Sequence, residues 1–241
     1  MSPAETSADP PVCLRYGDRV AATIPAYQAG PWVGEVVRDT LQQLPTVLVV
    51  DDGSDDDTSQ YAREAGARVL RVPKNEGKGH ALRLAFDDLF GLDFEAVITL
   101  DADGQHRADQ IPRLLETWER TGADLVLGTR DHLYADMSAV RRFSNTLSSR
   151  LISSVAGRSM LDIQTGFRLY TRRLIDAVGF PEARFQAESA VVVRTLRRGF
   201  ELATVPIELA RVDGRSTSHY RPLVDSLRIA RAVARARFER A

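Results

Sequence analysis

Two acidic residues follow a strongly apolar run near the middle of the chain. The run 96–100 is predicted to be a strand, and Asp101 and Asp103 come directly after it. Two carboxylates one residue apart can face the same way at a strand end, and paired oxygen ligands suit a hard divalent cation that also binds diphosphate oxygens. A simple chain reversal at Gly104 is the alternative. The position after a strand favours a site for Mg²⁺ or Mn²⁺.

A second acidic pair, Asp51 and Asp52, follows the apolar run 46–50. Capping of a helix that begins near Thr58 accounts for the acids at 55–57, but it does not account for this pair. Adjacent carboxylates repel each other, and hydrogen bonds from a nucleobase or a ribose would offset that repulsion. We therefore expect Asp51 and Asp52 to contact a nucleoside.

Two further loops could contact the same ligand. Pro25, Ala26 and Tyr27 follow the first apolar run, where backbone and an aromatic ring could hold a flat base. The loop 75–79 opens an amphipathic helix, and its two glycines would let backbone N–H groups approach a phosphate while Lys78 adds a positive charge. An ordinary helix start with a mobile lysine remains the alternative for this loop.

Short apolar runs alternate with amphipathic segments over most of the chain. Each run is too short for a buried helix, so the pattern predicts strands alternating with helices. Such alternation is typical of an α/β fold, here a single doubly wound domain with a mostly parallel central sheet. Ligands of these sheets bind outside the carboxyl ends of the strands. The predicted strands lie at 20–24, 46–50, 68–72, 96–100 and 124–128, and the predicted helices at 33–44, 58–65, 78–89 and 109–121.

The chain of 241 residues is long enough for one such domain. We expect a flexible N-terminal arm over residues 1–18, because this stretch is rich in proline and lacks an apolar period. The domain is predicted to cover 19–220. A basic amphipathic C-terminal helix is predicted over 221–241.

Composition restricts the cellular compartment of the protein and the kinds of site that it can contain. The one cysteine, Cys13, excludes both an internal disulfide and a cysteine-based metal site. No apolar run approaches the roughly 18 residues of a membrane span, and the N-terminus lacks a secretory signal pattern. These features predict a cytoplasmic protein. We expect no nucleic-acid partner, and the sequence leaves the oligomeric state open.

Taken together, the motifs resemble the family-two glycosyltransferases, most closely the dolichyl-phosphate mannosyltransferase-like branch that uses polyprenyl phosphates as acceptors. The resemblance runs from about Val20 to about Ile229. Its order and spacing are specific, although no single motif decides it. The motifs are Val50-Asp51-Asp52-Gly53-Ser54, 75–79, Asp101-Ala102-Asp103-Gly104-Gln105-His106, Gly128-Thr129-Arg130, Asp162-Ile163-Gln164-Thr165-Gly166-Phe167-Arg168 and Val205-Pro206-Ile207.

The resemblance implies a fold of the GT-A type and a role for each motif. Asp52 would face the nucleotide base. The metal and the diphosphate would be bound by Asp101, Asp103 and Gln105, with Ala102 at the same site. Arg130 would contact a phosphate of the donor or the acceptor.

On the acceptor side, the resemblance implies basic contacts from Arg142 and Arg211. Two positions depart from the family pattern. Gly104 stands where a leucine is common, and Thr217 stands where a lysine often follows the serine.

The resemblance predicts inverting, metal-dependent transfer of a sugar from a GDP- or UDP-sugar to a polyprenyl phosphate, with Asp103 and Arg130 in the catalytic machinery. A phosphate acceptor needs no protein base, whereas a hydroxyl acceptor would need one, for which Glu188 is the candidate. A soluble transferase acting on a hydroxyl group is the first alternative, and a sugar nucleotidyltransferase is the second. A nucleotide-binding module without catalysis is the third.

The C-terminal segment offers a route to a lipid acceptor. On a helical wheel over 223–241 the apolar residues share a broad face, and Arg228, Arg231 and Arg235 lie along its flank. This pattern is typical of an interfacial helix whose arginines meet anionic head groups, and it predicts peripheral binding to the inner face of the cytoplasmic membrane. Packing of the apolar face on the domain itself is the alternative.

Overall fold

The computed structural model describes residues 12–129, 165–210, 231–233 and 235–236. Within these ranges seven strands form one sheet in the order β3-β2-β1-β4-β6-β5-β7. The strands are β1 Val20–Ala26, β2 Val47–Asp51, β3 Arg68–Arg71, β4 Ala96–Thr99, β5 Leu125–Thr129, β6 Arg168–Thr171 and β7 Leu202–Pro206.

The sheet is mostly parallel, as the alternating pattern predicts. Strands β1 to β4 run in one direction, and β5 pairs in parallel with β7. Strand β6 is the exception, because it lies between β4 and β5 and is antiparallel to both. This inserted strand begins at the edge where its neighbours end, so residues just before Arg168 lie beside the carboxyl end of β4.

Helices cover both faces of the sheet. They are α1 Val12–Tyr16, α2 Trp32–Leu41, α3 Thr58–Glu64, α4 Lys78–Gly91, α5 Ile111–Thr121, α6 Arg172–Val178 and α7 Gln186–Arg197, with a short 3₁₀ turn at Ala108–Gln110. Successive β1 side chains alternate between two cores: Ala21 packs with α4 and α7, whereas Ala22 and Ile24 pack with α2 and α5. Burial on both faces explains why β1, β2, β4 and β5 read as continuous apolar runs.

The structure corrects the predicted N-terminal arm. Helix α1 lies inside the range 1–18 that we expected to be flexible. Tyr16 is only 1% exposed, and its carbonyl accepts a 2.9 Å hydrogen bond from Arg19 N. The Arg15 guanidinium also pairs with Glu119 on α5 at 2.6 Å. An aromatic anchor that the proline-rich composition obscured therefore fastens the chain from residue 12 onward.

The described part of the C-terminal segment is helical and packs on the domain. Val233 and Ala236 are 3% and 1% exposed within the core formed with α4 and α7. Arg197 Nη1 at the end of α7 donates a 2.8 Å hydrogen bond to the Ala236 carbonyl. At these positions the apolar face covers the core instead of a lipid surface, whereas Arg231 and Arg235 are exposed. Within the described ranges, no helix combines the length and apolar composition needed to cross a bilayer.

Candidate active site

The chemistry-bearing residues gather at one edge of the sheet. Strands β1, β2 and β4 end there, and β6 begins there. The first turns of α4 and α7 reach the same edge, which brings Lys78 and Glu188 together with Asp101. The expectation that ligand chemistry lies beyond the carboxyl ends of the strands therefore leads to one compact cluster.

Lys78 lies at the centre of this cluster. Its Nζ is 2.5 Å from Asp101 Oδ1 and 3.1 Å from Glu188 Oε2, and its side chain is 14% exposed. Burial lowers the pKa of the ammonium, but the two carboxylates outweigh burial and hold the pKa above its ordinary value. The lysine is thus a buried cation at neutral pH, and the alternative of a mobile surface lysine does not describe it.

Glu188 is held in place by a buried arginine to which the sequence assigned no role. Arg168 is fully buried; its Nη1 donates a 2.7 Å hydrogen bond to the Glu188 carbonyl, and its Nε donates one of 2.7 Å to the Thr165 carbonyl. The same Nε lies 4.0 Å from Glu188 Oε1. The sequence signal for this role is the position of Arg168 directly before the apolar residues Leu169 and Tyr170. An arginine that is buried with such neighbours needs a buried polar or charged partner.

The Asp101 loop fits against the start of β6. A Cβ atom at Gly166 would overlap the Asp101 carboxylate, so only glycine leaves room for it. Thr99 Oγ1 donates a 2.6 Å hydrogen bond to the Gly166 carbonyl. His106 also supports the loop: its Nδ1 accepts a 3.3 Å hydrogen bond from Asp101 N, and its ring stacks on the Phe167 ring with centroids 5.5 Å apart. The loop is therefore shaped by its protein surroundings.

The predicted metal ligands lie on this loop. Asp103 Oδ1 accepts a 2.9 Å hydrogen bond from Gln105 N, Ala102 is buried, and the Gln105 carbonyl accepts a 3.0 Å bond from Ala210 N. Two carboxylates and an amide are hard oxygen donors that fit Mg²⁺ or Mn²⁺. Among the described residues no group of three His, Cys, Asp or Glu side chains could hold an ion. A cation at Asp101 and Asp103 would therefore take further ligands from a diphosphate or water.

Asp51 is placed differently from the expectation of a nucleoside contact. Its side chain is completely buried, and Oδ1 accepts a 2.9 Å hydrogen bond from Ser54 N. Oδ2 accepts a hydrogen bond from the Ser59 hydroxyl and lies 3.8 Å from Arg71 Nε. Protein donors thus offset the carboxylate repulsion that suggested a base or ribose. Asp51 joins the β2 loop to the start of α3.

Asp52 anchors the lysine loop. Its Oδ1 accepts a 2.9 Å hydrogen bond from Glu76 N, and its Oδ2 accepts one of 2.7 Å from Gly77 N. Burial raises the pKa of Asp52, and the two N–H donors oppose that rise. Gly77 has φ +107°, and a Cβ there would lie 2.6 Å from Arg184 Cγ. In this structure the carboxylate therefore positions the residue before Lys78.

The turn after β1 is tied to the same loops. Asp52 N donates a 2.8 Å hydrogen bond to the Ala26 carbonyl, and Gln28 N donates one of 2.9 Å to Ser54 Oγ. Pro25 and Tyr27 are half-buried beside it. The structure thus brings the predicted base-binding turn next to Asp52, while contact with a base remains a proposal.

Three predicted phosphate-binding residues, Arg130, Arg142 and Arg211, lie outside the described residues. Two of their sequence neighbours are described. Strand β5 runs in the same direction as β4 and ends at Thr129, next to Arg130, at the edge of the sheet that carries the site. Ala210, next to Arg211, donates a hydrogen bond to the Gln105 carbonyl in the loop that carries Asp101 and Asp103.

Residues 22–179 match the family described as Glycosyl transferase family 2. Glycosyltransferase AglJ of Haloferax volcanii is 30% identical over 205 residues, which cover 83% of this chain and 66% of that protein. The dolichyl-phosphate hexose transferase of the same organism is 30% identical over 193 residues, covering 79% and 82%. The undecaprenyl-phosphate 4-deoxy-4-formamido-L-arabinose transferase of Proteus mirabilis is 30% identical over 209 residues, covering 81% and 60%. The chain thus spans only part of some relatives.

Solved structures share the fold. Glucosyl-3-phosphoglycerate synthase from Mycobacterium tuberculosis, in complex with Mn²⁺, uridine diphosphate and phosphoglyceric acid, superposes with a TM-score of 0.72 at 19% identity, covering 95% of this chain and 82% of that one. This likeness confirms the predicted GT-A-like α/β architecture. The acids follow β2 and β4 as predicted, and the family match covers most of the domain. The chain therefore belongs to glycosyl transferase family 2, and it is a glycosyltransferase.

Proposed function

We propose that the chain transfers a sugar, with inversion, from a nucleoside diphosphate to a polyprenyl phosphate. The proposed binding of the sugar donor rests on the ion pair between Lys78 and Asp101 at the carboxyl edge of the sheet. Asp103 lies on the same loop as Asp101. An ammonium paired with a carboxylate of the proposed metal loop is an arrangement that suits a diphosphate and its cation together. The acceptor half is supported by relatives named as dolichyl-phosphate and undecaprenyl-phosphate transferases.

In this proposal Asp101, Asp103 and Gln105 would hold Mg²⁺ or Mn²⁺, and the bound cation would supply positive charge to the departing diphosphate. Lys78 contributes a second positive charge from the first turn of α4. Arg130 contacts a donor or acceptor phosphate. Contacts to the acceptor phosphate come from Arg142 and Arg211.

The acceptor determines whether a protein base is needed. A phosphate monoester is largely ionised near neutral pH, because its second pKa is about 6, so it can attack the anomeric carbon without one. A hydroxyl acceptor would need a base, and Glu188 is the candidate among the residues that the structure describes. Its Oε2 is already paired with the Lys78 ammonium. This pairing therefore favours transfer to a phosphate, which needs no protein base.

A panel of nucleotide sugars, each with Mg²⁺ or Mn²⁺, tests this function. Each donor is incubated with a polyprenyl phosphate, with the matched polyprenol that lacks the phosphate, or without acceptor. We expect release of nucleoside diphosphate and a sugar-linked lipid only with the phosphate. Equal turnover with the polyprenol would contradict the proposed acceptor. Release of pyrophosphate from a sugar phosphate and a nucleoside triphosphate would instead indicate a nucleotidyltransferase.

We also propose that the chain binds peripherally to the cytoplasmic face of the membrane. Arg231 and Arg235 are exposed on the described part of the C-terminal helix, while Val233 and Ala236 hold that helix to the core. The exposed arginines can meet anionic head groups without insertion of the buried face. The binding is therefore expected to be electrostatic and sensitive to salt.

A further inference from the structure

The structure assigns Glu188 a second role at the donor site: we propose that it is a positioning residue that keeps the Lys78 ammonium in place for the diphosphate of the donor. This inference rests on the proposed nucleotide-sugar function and goes beyond it, because Glu188 then acts through Lys78 and not as a base. The acid that the sequence offered for a hydroxyl acceptor would instead serve donor binding with any acceptor.

The first step is the partnership of Lys78. Its Nζ is shared between Asp101 Oδ1 at 2.5 Å and Glu188 Oε2 at 3.1 Å. Asp101 is also a proposed ligand of the divalent cation, so its charge would be divided between the cation and the ammonium. Glu188, which is no proposed metal ligand, is the described carboxylate that could serve Lys78 alone.

The second step is the charge of the cluster. Lys78 and Arg168 supply two positive charges, Asp101 and Glu188 supply two negative ones, and Asp103 on the same loop adds a third negative charge. A divalent cation and a nucleotide sugar with two ionised phosphates together carry no net charge, so binding them leaves this balance unchanged. The site can therefore hold the donor and the Lys78 ammonium together, with Glu188 balancing the ammonium.

The third step is the rigidity of Glu188. It lies in the first turn of α7, its carbonyl accepts a hydrogen bond from the fully buried Arg168, and its side chain is 7% exposed. Gly79 of α4 packs against this turn, since a Cβ there would lie 2.8 Å from the Ala187 side chain. Helix α4, which carries Lys78, is therefore closely packed against helix α7, which carries Glu188. This packing restricts the movement of the Glu188 side chain away from Lys78.

The same surroundings oppose a role as general base. A base must reach the acceptor proton within hydrogen-bonding distance. Glu188 Oε2 is occupied by the ammonium, and Oε1 is a buried oxygen that accepts no hydrogen bond within the part of the chain that the structure describes. The oxygen that faces the cluster binds a cation, and the other faces the interior.

Equilibrium binding of nucleoside diphosphates tests the inference without turnover. Calorimetry measures Kd for UDP, GDP, ADP, CDP and dTDP with MnCl₂ for the wild type, Glu188→Gln, Lys78→Met and the double variant. Lys74→Met is the matched control, because this exposed lysine lies four residues earlier in the same loop. Thermal unfolding of each variant establishes that it is folded before binding is measured.

We expect Lys78→Met and Glu188→Gln each to weaken binding of the preferred nucleotide by about tenfold, the effect of losing one charged hydrogen bond. The double variant should bind within about twofold of Lys78→Met, because a positioning residue has no effect once the lysine is gone. Lys74→Met should leave Kd unchanged. The kcat of transfer at saturating donor should fall less in Glu188→Gln than kcat/KM for the donor.

Other outcomes would overturn the inference in distinguishable ways. A carboxylate that acts only through its charge repels an anionic nucleotide–metal complex, so tighter binding in Glu188→Gln would exclude positioning. Unchanged Kd with a lost kcat would instead identify a base. Multiplying effects in the double variant would show that the two residues act separately. If the wild type binds none of the five nucleotides, the proposed function itself fails.

Discussion

Asp52→Ala separates a loop anchor from a base contact. The substitution removes both acceptors of the Glu76 and Gly77 N–H groups, which lie at 2.9 and 2.7 Å. Each such bond to a charged group contributes about 1.5–3 kcal/mol. Glu76 is exposed, so its N–H regains water, whereas Gly77 is buried and its N–H stays unsatisfied. Relief of the carboxylate burial that raises the Asp52 pKa offsets part of the loss.

The free energy of unfolding should therefore fall by about 2 kcal/mol in Asp52→Ala, mainly from the one buried N–H that loses its partner. Urea unfolding measures this change. Asp57→Asn is the matched control, since Asp57 is exposed and makes no side-chain hydrogen bond to the start of α3. Its unfolding midpoint should stay at the wild-type value.

The same variant should bind nucleoside diphosphates more weakly without a change of nucleotide preference, because the loop before Lys78 is loosened. The reasoning would be refuted by wild-type stability combined with an altered order of preference among UDP, GDP and ADP. That result would show that Asp52 faces the base, as the resemblance implies, and that its bonds to the loop contribute little.

Three further predictions concern the metal loop and the surface. Asp103→Asn should abolish transfer while leaving the unfolding midpoint unchanged; turnover near the wild-type rate at ordinary Mg²⁺ levels would remove Asp103 from the metal site. Gly166→Ala should weaken Mn²⁺ binding measured by calorimetry at least tenfold, because its Cβ displaces the Asp101 carboxylate; equal affinity would argue against Asp101 as a ligand. Arg231→Gln with Arg235→Gln should reduce sedimentation with anionic liposomes at low salt, and an unchanged bound fraction would place the membrane contact elsewhere.

Several features followed from local pattern. Short apolar runs bounded by polar residues predicted β1, β2, β4 and β5 to within a few residues, because burial on both faces leaves a continuous apolar signature. Acids directly after these runs could then be assigned to one edge of the sheet, since parallel strands place their carboxyl ends together. The antiparallel β6 escaped this reasoning, because it opens with the charged Arg168 and contains only two apolar residues, Leu169 and Tyr170, before Thr171.

The sequence by itself determined which residue types reach the site edge: the acids after β2 and β4, and the lysine at the start of α4. Only the tertiary structure decided what they bind. Asp52 meets N–H groups of a distant loop, and Lys78 meets Glu188 from another helix far along the chain. Hydrogen bonds and ion pairs act over a few ångströms in space, whereas sequence patterns report neighbours along the chain. The partner of each buried charge therefore emerges only when the sheet brings its loops together.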